Sequence, residues 1–520
     1  MNRLRSILWV PVRSIILVII SPLVTVGYWA VVLFIGLPSQ LIRKLVSFFA
    51  HQLDGDLEKL VTNKGVLIGR DFSEWDTKPS HSIVVVLKAK GKCDPELLKH
   101  HVLRTNVRKW DVKKERLEYP ELQQYCTLRL GYLFFKWDRK FDISNHVKLY
   151  KSREIHEGTV VTDERVQEIW EKVTRRAYKP KTSPWEILII QNYDPNGKIK
   201  NIEELEKLPE DERHSVFILR MHHSLFDGFS IYRLLLSLTD QGLSLWEKET
   251  TRAVSKHFKL FLNAKALLCG PTSLTKVGLH GLDFYHGLHH GHGRLTGKYS
   301  IATSVLDINV IKNASKLHKV SFHAILIGAI SGGMRKYLLK NGLSIPLQPI
   351  RLGMPIPQPN HTKKLRNEWL PAMIHLPVEK KTAKQRAVAV NERLDKLKTG
   401  SLLPFLTQAM TLIGGFPVEV VRLLSKKSGV TILYSEMRGP NDITMTAFNK
   451  KLVLKEVMYS YGLGTDDLGV GFSSASYDGK ITLILTLDRG IFNTKEKADD
   501  FMQCIVSDIE ELQFGDSTKL

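Results

Sequence analysis

The chain has 520 residues and carries 75 Lys plus Arg against 53 Asp plus Glu, a formal charge of +22. With 43% apolar and 25% charged residues it is not a disordered or low-complexity protein, and its length allows two domain-sized cores. The four cysteines, Cys93, Cys126, Cys269 and Cys504, lie far apart in no paired spacing, which argues against a disulfide framework or a structural zinc site and for a reducing compartment.

The basic excess is diffuse, and no zinc-finger, helix-turn-helix or RNP-like pattern accompanies it. Nucleic acid is therefore set aside in favour of an anionic membrane surface or a phosphorylated substrate.

No charged residue occurs between Arg13 and Arg43, and Ser14 to Ile42 is rich in Ile, Leu, Val and Phe. Such a run reads as a retained membrane anchor over residues 1–50, since it exceeds a signal-peptide core and Gly36-Leu37-Pro38-Ser39 is no cleavage site. Pro22 is expected to interrupt it. Arg3, Arg5 and Arg13 precede it and Arg43 and Lys44 follow it, so charge assigns no orientation. A kinked or re-entrant anchor with both flanks cytosolic is the expectation, with a single span as the competing reading. The sequons at Asn313-Ala-Ser315 and Asn360-His-Thr362 provide a check, because glycans there would make the lobes lumenal.

Beyond the anchor, an amphipathic connection from His51 to Arg70 and a turn around Asp76 to Ser80 lead to a strand at Ile83 to Leu87 and a helix at Asp94 to Val107. Further strands are expected at Leu128 to Trp137, Trp185 to Gln191 and Ser215 to Leu219, with a helix at Arg165 to Arg176. Phe229 to Leu238 and Lys256 to Leu268 read as helices, the latter either in the core or against a tunnel or membrane. His280 to Arg294 holds five histidines among glycines. That spacing fixes no ligand geometry, so residues 280–298 read as a linker and not as a metal site.

A second lobe, 299–520, is expected to open with a strand at Ser300 to Leu306 and helices at Ile308 to Leu317 and Phe322 to Lys340. Strands at Arg351 to Ile356 and Trp369 to Leu376, a helix at Lys384 to Leu397 and an apolar helical stretch at Leu402 to Leu424, broken near Gly414, come next. Three final strands, at Thr431 to Ser435, Gly469 to Ser476 and Lys480 to Asp488, precede a closing helix from Lys495 to Leu512. Tyr477-Asp478-Gly479 is a hairpin signal.

The candidate chemistry lies in the first lobe, 51–279, where His222-His223-Ser224-Leu225-Phe226-Asp227-Gly228 joins a strand to a helix. A neutral imidazole is a general base near neutral pH, and neighbouring strand residues point to opposite sides, so His222 and His223 should differ in role. Asp227 would orient the turn. Gly228 would supply unusual dihedrals and close packing.

His-His-x-x-x-Asp-Gly resembles the active-site motif of acyltransferases with the chloramphenicol acetyltransferase fold, and the chain is most similar to the wax ester synthase/diacylglycerol acyltransferase family. Phe141-Asp142-Ile143 with His146-Val147, Ser183-Pro184-Trp185-Glu186, Gly353-Met354-Pro355, Asn367, Leu376-Pro377, Ser435-Glu436-Met437-Arg438-Gly439-Pro440 and Ser476-Tyr477-Asp478-Gly479 follow in the family's order. Where the family usually has Asn-Asp at a helix start, this chain has Ser321-Phe322.

The resemblance implies a two-lobe α/β chloramphenicol acetyltransferase-like fold behind the anchor, with a tunnel between the lobes. It implies His223 as general base, with His222, Asp227 and Gly228 supporting it and Pro184, Trp185, Asn367, Ser435 and Gly439 near substrate. The base would deprotonate a fatty alcohol or diacylglycerol that attacks acyl-CoA directly, with no metal and no cofactor beyond that co-substrate. The setting would be a lipid membrane, endoplasmic reticulum or plasma membrane, with cytosolic lobes. The competing reading is a catalytically impaired lipid-binding relative, for which Ser321-Phe322 argues. A glycerolipid acyltransferase is disfavoured because its Pro-Glu-Gly-Thr motif is absent, and a serine hydrolase because no Gly-x-Ser-x-Gly occurs. Oligomeric state is not legible.

Overall fold

The computed structural model describes residues 19–71, 80–151, 159–244, 255–279, 295–346, 350–358, 361, 364–426, 429–464 and 468–514. The histidine- and glycine-rich segment from His280 to Arg294, both sequon asparagine and threonine positions at 360 and 362, and most of the turn at 76–80 lie outside them.

Helix α1 (Ile19–Leu53) is followed by β1 (Leu57–Leu60), α2 (Asn63–Gly69), β2 (Ser82–Lys90) and α3 (Pro95–Val102). The small strands β3 (Trp110–Asp111) and β4 (Arg116–Leu117) precede β5 (Gln124–Arg129), β6 (Tyr132–Trp137) and β7 (Val147–Leu149). Then come α4 (Asp163–Thr174), β8 (Trp185–Tyr193), α5 (Ile202–Glu206), β9 (His214–His222), α6 (Gly228–Ser237) and α7 (Lys256–Leu279). The second half runs β10 (Tyr299–Asp307), α8 (Ile308–His318), α9 (Phe322–Lys340), β11 (Ile350–Pro357), β12 (Trp369–Leu376), α10 (Ala383–Thr399), α11 (Leu402–Ile413) and α12 (Val418–Leu424). It closes with β13 (Ile432–Arg438), β14 (Thr446–Ala447), β15 (Leu452–Tyr461), β16 (Val470–Tyr477), β17 (Lys480–Asp488) and α13 (Lys495–Glu511).

Two six-stranded sheets carry the architecture, in the orders β14-β15-β2-β9-β8-β7 and β10-β17-β16-β13-β11-β12. A three-stranded sheet, β1-β6-β5, sits beside them. The second sheet is covered by α9 and α13, whose Ala324, Ile327, Ile330, Phe501 and Ile505 are buried against Leu352, Phe472 and Leu485. On β9 the alternation divides two cores. Val216 and Ile218 pack with Trp170 and Val173 of α4, whereas Phe217, Leu219 and Met221 pack with Ile231 and Leu234 of α6. Helix α4 also covers the edge of β10, with Glu171 accepting from the Ile301 amide at 2.8 Å and Gln167 donating to its carbonyl.

Two expectations are corrected, that of a self-contained second lobe and that of three late strands. The second half does not form a closed lobe, because β15 pairs along β2 from Val453↔Lys90 to Tyr461↔Ile83 and so completes the first sheet. This fourth late strand escaped the period-two reading because a bulge between Leu454 and Glu456 shifts the alternation where Lys455 and Glu456 interrupt the apolar run. Pro22 lies within the described helix, and the residues before Ile19 lie outside the described ones. The irregularity is a π-helical stretch at Val32–Gly36, ahead of Pro38, whose missing N–H is accommodated there.

Candidate active site

The His222–Gly228 turn is fixed from three sides. The β9 register sets Ser82 opposite His222 and Trp185 opposite Met221, and beyond it the His222 amide donates to Pro184 O at 2.9 Å and the His223 amide to His81 O at 2.8 Å. From the second half of the chain, Asn367 Nδ2 donates to His223 O at 2.8 Å and to Ser224 O at 3.4 Å. Helix α2 closes the third side. A Cβ built on Gly69 would lie 3.0 Å from Ser224 Cβ, and one on Gly65 3.7 Å from Ser224 O. The close approach expected of Gly228 is therefore made by Gly65 and Gly69. Gly228 has an ordinary helical φ, and nothing lies within 4 Å of where its Cβ would be.

Asp227 is the N-cap of α6, accepting from the Ser230 amide at 3.0 Å through Oδ1. Its Oδ2 accepts from the Glu368 amide at 2.8 Å and from His361 Nε2 at 2.9 Å, both on the segment that carries Asn367. Burial opposes ionisation, but His361 and these amides hold the carboxyl below its ordinary range.

The two histidines do diverge. His222 is fully buried, and its Nδ1 accepts from the Ser224 amide at 3.2 Å and contacts Ser224 Oγ at 2.8 Å. A neutral ring accepting at Nδ1 carries its proton on Nε2, and Nε2 faces Asp71 Oδ1 at 3.2 Å. Asp71 is also met by His81 Nδ1 at 3.1 Å, the Ser80 amide at 2.6 Å and hydroxyl at 2.7 Å, and the His81 amide at 3.0 Å. Against the cost of burial, His81 and His222 keep Asp71 well below the usual carboxylate range.

His223 continues the parity of Phe217, Leu219 and Met221, the side facing α6. The residue as a whole is half-buried, and its Nδ1 is buried with no partner among the described residues. Burial pushes its pKa down to about 4, against the pull of its own main-chain carbonyl and Asp227. The free imidazole is the form present at neutral pH. Asn367 Oδ1 and Trp369 Nε1 are likewise buried without a partner among the described residues.

An apolar cavity of about 110 Å³ opens between this face of the first sheet and α6, lined by Leu219, Leu235, Met437, Gly439, Phe448 and Val457 among others. A smaller one of about 30 Å³, lined by Trp185, Met221, Phe226, Leu219 and Leu235, shares Leu219 and Leu235 with it and includes Phe226 of the histidine turn, while His223 lines neither.

Pro184 and Asn367 thus bond the backbone of the histidine pair directly, whereas Asp227 joins the turn to His361 and Glu368. Trp185 stacks on His146 at 4.5 Å, which stacks on Phe141 at 4.8 Å, so the Phe-Asp and Pro-Trp motifs form one aromatic stack beside the smaller cavity. Gly439 lines the larger cavity, and a Cβ there would collide with Ser476 O at 2.5 Å. Ser435 accepts from Tyr459 Oη at 3.0 Å, away from the turn's own hydrogen bonds.

Ser321 occupies the N-cap of α9, its Oγ accepting from the Ala324 amide at 3.3 Å, so the Ser321-Phe322 departure leaves that helix start intact. One residue on, His323 Nε2 meets Glu436 Oε2 at 2.5 Å, and Arg438 Nε meets Oε1 at 2.9 Å. Sequence reading missed Asp71, His81 and His361. No motif marks them, because each joins the site from far along the chain. Among the described residues no three His, Cys, Asp or Glu side chains form a metal-binding group.

Residues 367–513 match the family model of the WS/DGAT C-terminal domain. The wax ester synthase/diacylglycerol acyltransferase from Marinobacter aquaeolei VT8 superposes with a TM-score of 0.56 at 12% identity, covering 88% of this chain and 99% of that one. The trichothecene 15-O-acetyltransferase from Fusarium sporotrichioides gives 0.55 at 9%, covering 88% and 95%. The EpoB cyclization-docking bidomain of a nonribosomal peptide synthetase from Sorangium cellulosum gives 0.54 at 13%, covering 88% and 84%. No curated protein sequence matches significantly. The chain therefore has the two-lobe α/β fold shared by WS/DGAT enzymes and condensation domains, and it resembles the WS/DGAT family.

Proposed function

We propose, from a chain whose residues 367–513 match the WS/DGAT C-terminal domain, that this protein is a membrane-associated O-acyltransferase. It moves a long-chain acyl group from acyl-CoA to a fatty alcohol or diacylglycerol. One observation carries the reading: a histidine kept neutral, on the cavity side of a strand end, at a turn that both halves of the chain hold in place.

In the proposed reaction His223 takes the proton from the acceptor hydroxyl as its oxygen attacks the thioester carbonyl. The tetrahedral intermediate collapses, the C–S bond breaks, and the imidazolium returns its proton to the leaving CoA thiolate. No acyl-enzyme forms. His222, tied to Asp71 and Ser224, positions the strand end, and Asp227 with Asn367 ties it to the second half. The apolar cavities under α6 suit an acyl chain, which has no hydrogen bonds to satisfy.

We place the phosphates of CoA beside Lys364 and Arg366. There burial and the neighbouring Arg366, Arg116 and Lys114 depress the Lys364 ammonium, a concentration of positive charge that an anion would relieve. We place the lobes on the cytosolic side of the endoplasmic reticulum, so glycosylation at Asn313 would reverse that orientation.

Purified protein given labelled acyl-CoA and either acceptor should form ester, and His223→Ala should lower the rate by roughly 10²–10⁴-fold, the usual share of a general base. Ester formation that survives the substitution would sink the assignment. Bound lipid with no ester from any acceptor would favour the lipid-binding reading.

A further inference from the structure

Helix α7 presents the wrong face to water. A surface helix normally turns its apolar stripe inward. Here Ala266 and Gly270 face inward, with Gly270 against the Phe405 ring, while Leu260 (69% exposed), Phe261 (59%) and Leu268 (75%) point outward with Phe258 and Leu267. Its inward neighbour α11 has no charged residue from Leu402 to Ile413.

The anchor packs against both α7 and α11. Ser21 Oγ meets Thr272 Oγ1 of α7 at 2.5 Å, the Tyr28 and Phe405 rings lie 4.9 Å apart, and Gln40 Nε2 donates to Leu412 O at 3.4 Å. From Ser21 to Gln40 the helix covers about 28 Å at 1.5 Å per residue, close to a hydrocarbon core of about 30 Å. An anchor crossing the bilayer along that length would drag α11 and its attached strands through it.

We infer that α1, α11 and α7 form one docking platform that sits in a single leaflet of a phospholipid bilayer, with the outer stripe of α7 among the acyl chains. Lys44 and Lys259, both exposed, reach its headgroups. The bilayer is favoured over a second copy of this chain because the stripe is continuous with an anchor that itself exposes Leu23, Phe34 and Leu41. The inference rests on reading α1 as membrane-embedded and is independent of the ester chemistry.

Cys269, exposed on α7 while Cys93, Cys126 and Cys504 are buried, is a native probe position. The full chain carrying an environment-sensitive fluorophore on Cys269 is bound to phosphatidylcholine–phosphatidylserine vesicles, with and without nitroxide-bearing lipid. Emission should shift to the blue and be quenched by the nitroxide lipid. A probe on Leu317→Cys in a Cys269→Ser background, on α8 of the second half, should show neither effect. Water-like emission from Cys269 on vesicles that carry the protein would overturn the platform, and blue-shifted but unquenched emission would point to a protein partner and also overturn it. Failure of the protein to float with vesicles would overturn the anchor as well, whereas ester formation in detergent micelles would stand in each case.

Discussion

Replacing Asp71 with Asn tests the least expected part of the site. Asp71 Oδ2 takes the Ser80 and His81 donors, and the amide oxygen of Asn can replace it there. The NH₂ group would then face His222 Nε2, which carries a proton because Nδ1 accepts from the Ser224 amide. Two donors would meet, and moving the ring proton to Nδ1 only transfers the conflict to Ser224. The loss is one charge-assisted hydrogen bond, about 1.5–3 kcal/mol, plus a stranded buried donor at about 1–3 kcal/mol. The sum, about 2.5–6 kcal/mol, brackets the roughly 3–5 kcal/mol cost of removing one member of a buried charged pair. Thermal melts in detergent should show a large fall in Tm for Asp71→Asn, and ester formation should lose kcat more than KM, since His222 supports the neighbour of the proposed base. Asp71→Glu, which keeps the charge, should lose less. A melt for Asp71→Asn indistinguishable from the parent would refute the tautomer argument.

The depressed pKa of His223 predicts an unusual acid limb. With the folded value at about 4, kcat/KM should hold through the range where an ordinary histidine protonates, near 6.5, and fall only as pH approaches 4. The same shift acts on stability. The unfolded chain takes up the proton first, so stability from this group is complete above pH 6.5 and declines toward pH 4, by up to about 3 kcal/mol, which melts against pH would detect in parent but not in His223→Ala. Leu235 lines both cavities, and Leu235→Trp should shift preference toward short acyl-CoA substrates by about tenfold or more. An unchanged chain-length profile would place the acyl chain elsewhere.

The strand–turn–helix at 215–238 was legible because β-branched and aromatic content, a polar break and an apolar helix are all local signals. The hairpin at Asp478-Gly479 was legible for the same reason, and both residues adopt the positive φ, 50° and 74°, that such a turn requires. The apolar anchor and most core helices also follow from runs that a short window of sequence contains.

Local signals could not show what holds the histidines. Asp71 and His361 reach the turn from 151 and 134 positions away, with no spacing to mark them, and Gly65 and Gly69 matter only because α2 packs on Ser224. The crossing of β15 into the first sheet was hidden by a bulge, and the anchor's docking along α11 by a hydropathy that would suit a free span equally well. Sequence by itself determined which segments bury apolar surface and where the polar turn falls. Tertiary structure decided which buried polar atoms meet there, because hydrogen-bond partners are chosen by distance in space and not by separation along the chain.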